Sequence, residues 1–317
     1  MGCGPRIVEN LSEPRSDAKG GLAVFFVIAC ILGTLRILLG LVPVPATILP
    51  AASAVVTGLF VLLPFIALFK GAEIADRWRT ALALLITGAA AHVLSWLALG
   101  QGWVDGLAAA LVSAAGQVGL LCWSLGLGVL LARVVRDKNI IVPVCIFLAI
   151  FDVFLVLTPI GPTQAVLKRQ PNLMQAVAFS IPKVQAAPAA GPVSPAAHVG
   201  PADLLFSAFF FALLYRFGMS VRKTAFWLAP TLVVYLFAAM WIGSLPALVP
   251  IGACVLLVNI RHFKLTRQEW ASTAIFCGLA LAGLIWGLTR PKQPPGTSPV
   301  EVVQDGGAPA GSLPPAP

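Results

Sequence analysis

Two aspartates stand out because each lies within a long apolar stretch. Asp152 belongs to the stretch FDVFLVLTP, and Asp203 lies near the start of HVGPADLLFSAFFFA. The ten other acidic residues of the twelve in the chain lie in terminal segments, in loops or at the edges of apolar stretches. An ionised carboxylate in hydrocarbon is costly, so an acidic residue there usually marks a functional site. Asp152 and Asp203 are therefore the first candidates for chemistry.

A pair of carboxylates on facing helices can carry out acid–base chemistry. Two carboxyl groups in contact in a poor dielectric cannot both be ionised, so such a pair shares one proton. One carboxylate can then act as a base on a water molecule while the other, protonated, polarises a carbonyl group. This is the chemistry of aspartic proteases, and it needs no metal and no nucleophilic side chain. Paired acidic residues in broken helices also serve proton- or cation-coupled transporters, which is the alternative.

The composition places both aspartates in a membrane protein. The chain has 317 residues, of which 59% are hydrophobic and 10% charged, and its mean hydropathy is +0.93. A soluble domain has about 25% charged residues, so a soluble enzyme is excluded. The net charge of +9 does not predict a nucleic-acid partner, because the basic residues form short clusters between apolar stretches. Such clusters are typical of the cytoplasmic loops of membrane proteins.

Nine apolar stretches are candidates for transmembrane helices, which need about 20 apolar residues. Asp152 lies on the fifth stretch and Asp203 on the sixth, and consecutive spans run antiparallel. At about 1.5 Å per residue, the two carboxylates would lie roughly 11 Å and 7 Å below the same membrane surface. The fold class is thus an all-α polytopic membrane protein with about nine spans. The predicted spans are residues 22–41, 46–69, 80–99, 107–131, 140–159, 199–215, 225–242, 245–260 and 270–288.

The charge distribution predicts the orientation of these spans. With the N-terminus in the cytoplasm, each of the five inner segments contains three Lys or Arg residues, and the three short outer loops contain none. This satisfies the positive-inside rule. Short loops and no recognisable targeting segment favour a prokaryotic plasma membrane.

The chain divides into five parts by composition. A connector over residues 161–198, rich in Pro and Ala, separates the two aspartate-bearing spans and is expected to be flexible. The parts are a polar cytoplasmic segment (1–20), a four-helix membrane part (21–139), a catalytic core (140–260), an additional C-terminal helix (261–289) and a disordered tail (290–317).

Three motifs resemble those of one protease family. The stretch FDVFLVLTP resembles the helix containing the YD motif in the presenilin and signal peptide peptidase family of intramembrane aspartyl proteases. GPADLLFSAFFFALLYRF is similar to the GxGD helix of that family, and SLPALVPIG contains its PAL motif. The three motifs occur in family order, each on its own span. The resemblance covers about residues 140–260.

This resemblance implies a presenilin-like fold and an intramembrane aspartic endopeptidase. Asp152 and Asp203 would be the catalytic pair, and Pro246, Ala247 and Leu248 would shape the active site and bind the substrate. No cofactor and no metal are implied. The substrates would be transmembrane helices, and the outward direction of the fifth span resembles signal peptide peptidase. Type II membrane segments or signal-peptide remnants are then expected, and the sequence does not specify whether accessory subunits take part.

Three site-shaping positions surround the aspartates. Gly200 matches the first glycine of the GxGD motif. Ala202 stands in place of the second glycine, and its methyl group could crowd a close helix approach beside Asp203. Phe151 stands where the family has tyrosine, which removes a phenolic hydrogen bond. Both departures leave the carboxylates in place but change their surroundings. A non-catalytic homologue that binds membrane helices is therefore the further alternative.

Several polar or small residues within the spans are expected to have structural roles. Arg36 would be costly in lipid, so it should pair with a carbonyl group, a lipid headgroup or a loop carboxylate. Gln117 and Asn259 are expected to form interhelical hydrogen bonds. Gly126 and Gly128 are expected to allow close helix packing.

Overall fold

The computed structural model describes residues 18–158, 177–186, 194–242 and 245–289. Within these residues the chain forms nine α-helices and one two-stranded antiparallel sheet. Nearly all of the predicted N-terminal segment, the tail and much of the connector lie outside the described residues. The helices are α1 (Ala18–Leu41), α2 (Leu49–Gly71), α3 (Trp78–Gly100), α4 (Gly106–Val134), α5 (Ile141–Leu157), α6 (Pro201–Arg216), α7 (Val221–Ile242), α8 (Leu248–Asn259) and α9 (Arg267–Thr289), and the strands are β1 (Phe179–Pro182) and β2 (Pro195–Val199).

Each predicted span coincides with one helix, with ends that differ by a few residues. Six helices of the described part, α1 to α5 and α9, are long and apolar enough to cross a membrane. By contrast, α8 has only 12 residues, which at about 1.5 Å per residue is roughly 18 Å, against a hydrocarbon core of about 30 Å. The structure thus fits a multi-pass, all-α membrane protein. Nine complete spans remain a prediction.

The two strands were not predicted from the sequence. They lie between α5 and α6, and Phe179 pairs with Val199 while Ser180 pairs with His198. The rest of the protein anchors β1, since Phe179 and Ile181 are each only 1% exposed. The Pro- and Ala-rich composition gave no indication of these contacts, because they come from residues far away in the sequence.

Arg36 of α1 is the main polar anchor of β1. Its guanidinium donates to Oγ of Ser180 at 2.8 Å and also to the carbonyl oxygen of Ser180. The guanidinium lies 5.6 Å from the ring centre of Phe60 and 5.8 Å from that of Phe179. The backbone N–H of Ser180 donates to Oε1 of Gln117 at 3.1 Å. Arg36 therefore pairs with a carbonyl group, one of the three expected partners, and Gln117 binds a strand rather than a helix.

The charge of Arg36 also affects the strand opposite. Burial, together with the positive charge of Arg36, lowers the pKa of His198 on β2. A histidine with a lowered pKa is neutral at pH 7. His198 therefore does not add a second positive charge beside Arg36.

Helix α4 is in close contact with two other helices through glycines. A Cβ atom added at Gly126 would lie 2.5 Å from the carbonyl oxygen of Ala81 on α3. One added at Gly128 would lie 2.8 Å from Cβ of Ala208 on α6. The prediction that these glycines allow close packing is confirmed, and the contact at Gly128 fixes the position of α6, which carries Asp203.

Helices α7 and α8 are joined by polar contacts. The side-chain amide of Asn259 donates to Oγ1 of Thr224 at 2.8 Å, and its oxygen accepts from the backbone N–H of Ser220 at 2.9 Å. Nearer the other end of α8, Sγ of Cys254 lies 3.6 Å from Oγ1 of Thr231. The interhelical role predicted for Asn259 is confirmed.

Candidate active site

The two aspartates lie at the same end of the helix bundle. Asp152 comes five residues before Leu157, the last residue of α5, and Asp203 is the third residue of α6. Helix α5 thus ends, and α6 begins, at the site. The hairpin of β1 and β2 lies between them in the chain.

Asp152 is held by the start of α8. It is buried, and its Oδ2 accepts a hydrogen bond from the backbone N–H of Leu248 at 2.8 Å. Leu248 is the first residue of α8, and the first N–H groups of a helix have no partner within that helix. The carboxylate supplies this partner, and the positive end of the helix dipole favours its negative charge.

Asp203 is held by the start of its own helix. Its Oδ2 accepts from the backbone N–H of Gly200 at 3.2 Å, and its own N–H donates to the carbonyl oxygen of Gly200 at 3.1 Å. Gly200 is the residue that precedes α6, and Pro201 occupies the first helical position. The hydrogen bond from the N–H of Gly200 to the Asp203 side chain is one half of a capping box. A Cβ atom at Gly200 would lie 3.0 Å from Oδ2 of Asp203, so glycine leaves room for the carboxylate.

The two carboxylates are close enough for their charges to interact. In each, Oδ2 is already bound by a backbone N–H, while no described residue bonds to Oδ1. Within the described part of the chain, one oxygen of each carboxylate is thus left to a water molecule or a substrate. Among the described residues, no group of three or more His, Cys, Asp or Glu side chains could hold a metal ion.

The PAL motif lies at this site just before α8. Pro246 and Leu248 are buried and Ala247 is half-buried. The predicted eighth span begins at residue 245, but the helix begins only at Leu248, so Pro246 and Ala247 precede it. Pro250 is tolerated in the first turn, where its missing N–H would have no helical partner.

Tyr235 is a site residue that the sequence analysis did not identify. Its hydroxyl donates to the carbonyl oxygen of Pro246 at 2.7 Å. The hydroxyl also lies within electrostatic range of Asp152 and Asp203. The available signal was a phenol in the apolar stretch that follows Thr231, five residues after Pro230 within α7.

Two of the site-shaping residues face outward. Phe151 is 44% exposed, and its ring stacks on Phe147 with 5.8 Å between ring centres. Ala202 is also exposed. Its methyl group therefore does not lie in a tight helix contact, contrary to the crowding expected from the sequence.

Comparison of the chain with protein-family models found no match, and comparisons with curated proteins and with solved structures found none either. The resemblance to the presenilin and signal peptide peptidase family consequently rests on three short sequence motifs.

Proposed function

We propose that this chain is an intramembrane aspartyl protease of the presenilin and signal peptide peptidase type, with Asp152 and Asp203 as its catalytic pair. The observation that carries the proposal is the position of the two carboxylates. They lie at the same end of two consecutive helices, their charges interact, and the N–H of Leu248 in the PAL motif bonds to one of them.

The reaction would be hydrolysis of a peptide bond in a substrate helix. The ionised carboxylate takes a proton from a water molecule, whose oxygen attacks the peptide carbonyl carbon. The protonated carboxyl donates its proton to the carbonyl oxygen. When the tetrahedral intermediate collapses, the carboxyl that took the proton from water gives it to the amine nitrogen as the C–N bond breaks. A hydroxyl proton of the intermediate returns to the other carboxylate, so a new carboxyl group is formed and the pair again holds one proton.

The PAL motif would bind the substrate next to this pair. A substrate helix must unwind before its peptide carbonyl can be attacked, and its freed backbone groups then need partners. Pro246 and Ala247 directly precede α8 beside Asp152. The carbonyl oxygens of Pro246 and Ala247 already accept hydrogen bonds, so an unwound substrate would pair with the backbone N–H of Ala247.

The membrane arrangement belongs to the same proposal. It comprises nine spans, an N-terminus in the cytoplasm of a prokaryote and a presenilin-like fold. Substrates would be type II transmembrane helices or signal-peptide remnants. The support is the positive-inside distribution of Lys and Arg.

Cleavage of a single-span model substrate by the full chain in liposomes tests the proposal. The substrate should be supplied in both membrane orientations, and the products identified by mass spectrometry. We expect the parent chain to cut, and Asp152→Asn and Asp203→Asn each to lower the rate by at least about 100-fold, the scale of general acid–base catalysis. Asp105→Asn is the matched control, because Asp105 precedes α4 and makes no side-chain capping bond there.

Three outcomes would contradict the proposal. If either aspartate variant cleaved the substrate as fast as the parent, the pair would not be catalytic. Proton flux that both variants lose, without cleavage products, would favour the transporter. Retention of the substrate peptide without cleavage would favour the non-catalytic homologue.

A further inference from the structure

We propose that Tyr235 is a positioning residue that holds the PAL motif against the aspartate pair. This inference rests on the proposed protease function. The hydrogen bond from the Tyr235 hydroxyl to the carbonyl oxygen of Pro246, at 2.7 Å, is the contact on which it stands.

The bond is the last of a series of polar contacts between α7 and α8. Thr224, Thr231 and Tyr235 follow one another along α7, and they contact Asn259, Cys254 and Pro246 in turn. The order of the partners is reversed, as antiparallel helices require. The first two contacts join helix to helix. Of the three, only Tyr235 contacts a residue that precedes α8, Pro246, so its bond sets the position of that segment rather than that of the helix.

The PAL motif is thus held from two sides. Tyr235 binds the carbonyl oxygen of Pro246, and Asp152 binds the N–H of Leu248. Without the Tyr235 hydroxyl, the carboxylate of Asp152 would be the one side chain among the described residues that still forms a hydrogen bond to the motif. That carboxylate would then have to position the motif alone while also acting on the water. Tyr235 therefore fixes the motif independently of the reacting group.

Tyr235 also supplies the phenol that position 151 lacks. Phe151 has no hydroxyl, and its ring is 44% exposed and stacked on Phe147. The chain contains two tyrosines, and the other, Tyr215, donates to Oε1 of Glu73 at 3.2 Å near the opposite end of α6. The Tyr235 hydroxyl is within electrostatic range of both aspartates. Its proton is engaged by Pro246, which leaves its oxygen able to accept a hydrogen bond from a protonated carboxyl.

A purely structural role for Tyr235 predicts something different. If the bond only joined α7 to α8, its loss would lower stability but leave the turnover of the folded protein unchanged. Thr231→Val is the control for this reading, since it removes a neighbouring α7–α8 contact away from the aspartates. Tyr215→Phe is the control for the chemical change, because it removes the only other phenolic hydroxyl.

The kinetic test compares Tyr235→Phe with these two controls in the liposome cleavage assay. We expect kcat/KM of Tyr235→Phe to fall by about tenfold, equivalent to ~1.4 kcal/mol. The fall should lie in kcat rather than in KM, because the loosened bond is at the reacting group and not along the bound substrate helix. Both controls should stay within about twofold of the parent. Parent-like kcat for Tyr235→Phe, in a chain whose activity still needs both aspartates, would overturn the inference and leave the protease function standing.

A second measurement decides the inference without any cleavage. Incorporation of 3-fluorotyrosine gives two ¹⁹F resonances in the full chain, which Tyr215→Phe assigns. We expect Asp152→Asn and Asp203→Asn each to shift the Tyr235 resonance and to leave that of Tyr215 in place. An unmoved Tyr235 resonance would overturn the inference even if the parent cuts substrates. If the parent cuts nothing, the protease function fails, whereas a shifted resonance still supports the position of Tyr235 against the pair.

Discussion

The backbone N–H of Leu248 lies 2.8 Å from Oδ2 of Asp152, a hydrogen bond between residues that are 96 positions apart in the chain. It joins the end of α5 to the start of α8. The same carboxylate is thus a candidate catalyst and the partner of a helix-terminal N–H that would otherwise have none. Its contributions to folding and to chemistry can be separated by the choice of substitution.

Asp152→Ala and Asp152→Asn should differ in stability but not in activity. Asparagine keeps a side-chain oxygen that can accept from Leu248, whereas alanine leaves a buried N–H unpaired, at a cost of about 1–3 kcal/mol. Thermal unfolding in detergent should therefore give a lower Tm for the alanine variant, and both variants should lose cleavage. Equal Tm values would show that the hydrogen bond to Leu248 does not contribute to folding.

Gly200→Ala should impair cleavage more than Ala202→Gly. The new methyl group at position 200 would lie 3.0 Å from Oδ2 of Asp203, so the carboxylate must move away from its bond with the N–H of residue 200. We expect about a tenfold lower cleavage rate, since a catalytic group displaced by tenths of an ångström loses its geometry. Ala202 is exposed, so changing it to glycine should alter the rate by less than about twofold. The reverse order of effects would contradict this account of the start of α6.

The sequence predicted the features that depend on local patterns. Length and hydropathy are properties of a continuous stretch, so all nine helices were found, with errors only at their ends. Asp152 and Asp203 could be selected as candidates for the same reason, because a carboxylate in an apolar stretch is visible without knowing its neighbours. The prediction that both lie near one end of consecutive helices follows from their order in the chain.

What the sequence did not predict depends on contacts between distant residues. Strand β1 is fixed by Arg36 and Gln117, which precede Ser180 by 144 and 63 positions. Tyr235 was missed because its hydrogen bond to Pro246 becomes apparent only when α7 and α8 are placed together. The exposure of Ala202 could not be inferred from the motif, since the motif does not specify which neighbours α6 has.

Gly128→Ala should destabilise the protein and slow cleavage. The added methyl group would lie 2.8 Å from both Cβ of Ala208 and the backbone N of Phe209, so α4 and α6 would have to separate. Overpacking of this kind costs about 1–3 kcal/mol, and the shift of α6 would displace Asp203. Gly278→Ala on α9 is the matched control, because nothing lies within 4 Å of a Cβ there. Thermal unfolding and cleavage assays should separate the two variants, and a parent-like Gly128→Ala would refute the close contact.

Arg36→Gln should loosen the pairing of β1 and β2 and thereby lower the cleavage rate. Arg36 binds Ser180 through both the side chain and the backbone, whereas Ser180→Ala removes only the side-chain contact. Hydrogen exchange of residues 179–182 should therefore be fastest in Arg36→Gln, intermediate in Ser180→Ala and slowest in the parent. Because β2 ends at Val199, directly before Gly200, the start of α6 should also be less well fixed. The cleavage rate should therefore be lowest in Arg36→Gln, intermediate in Ser180→Ala and highest in the parent. Arg133→Gln is the matched control, since Arg133 binds the carbonyl oxygen of Ala75, away from both strands. Unchanged exchange in Arg36→Gln would mean that Phe179 and Ile181 hold the hairpin without the arginine.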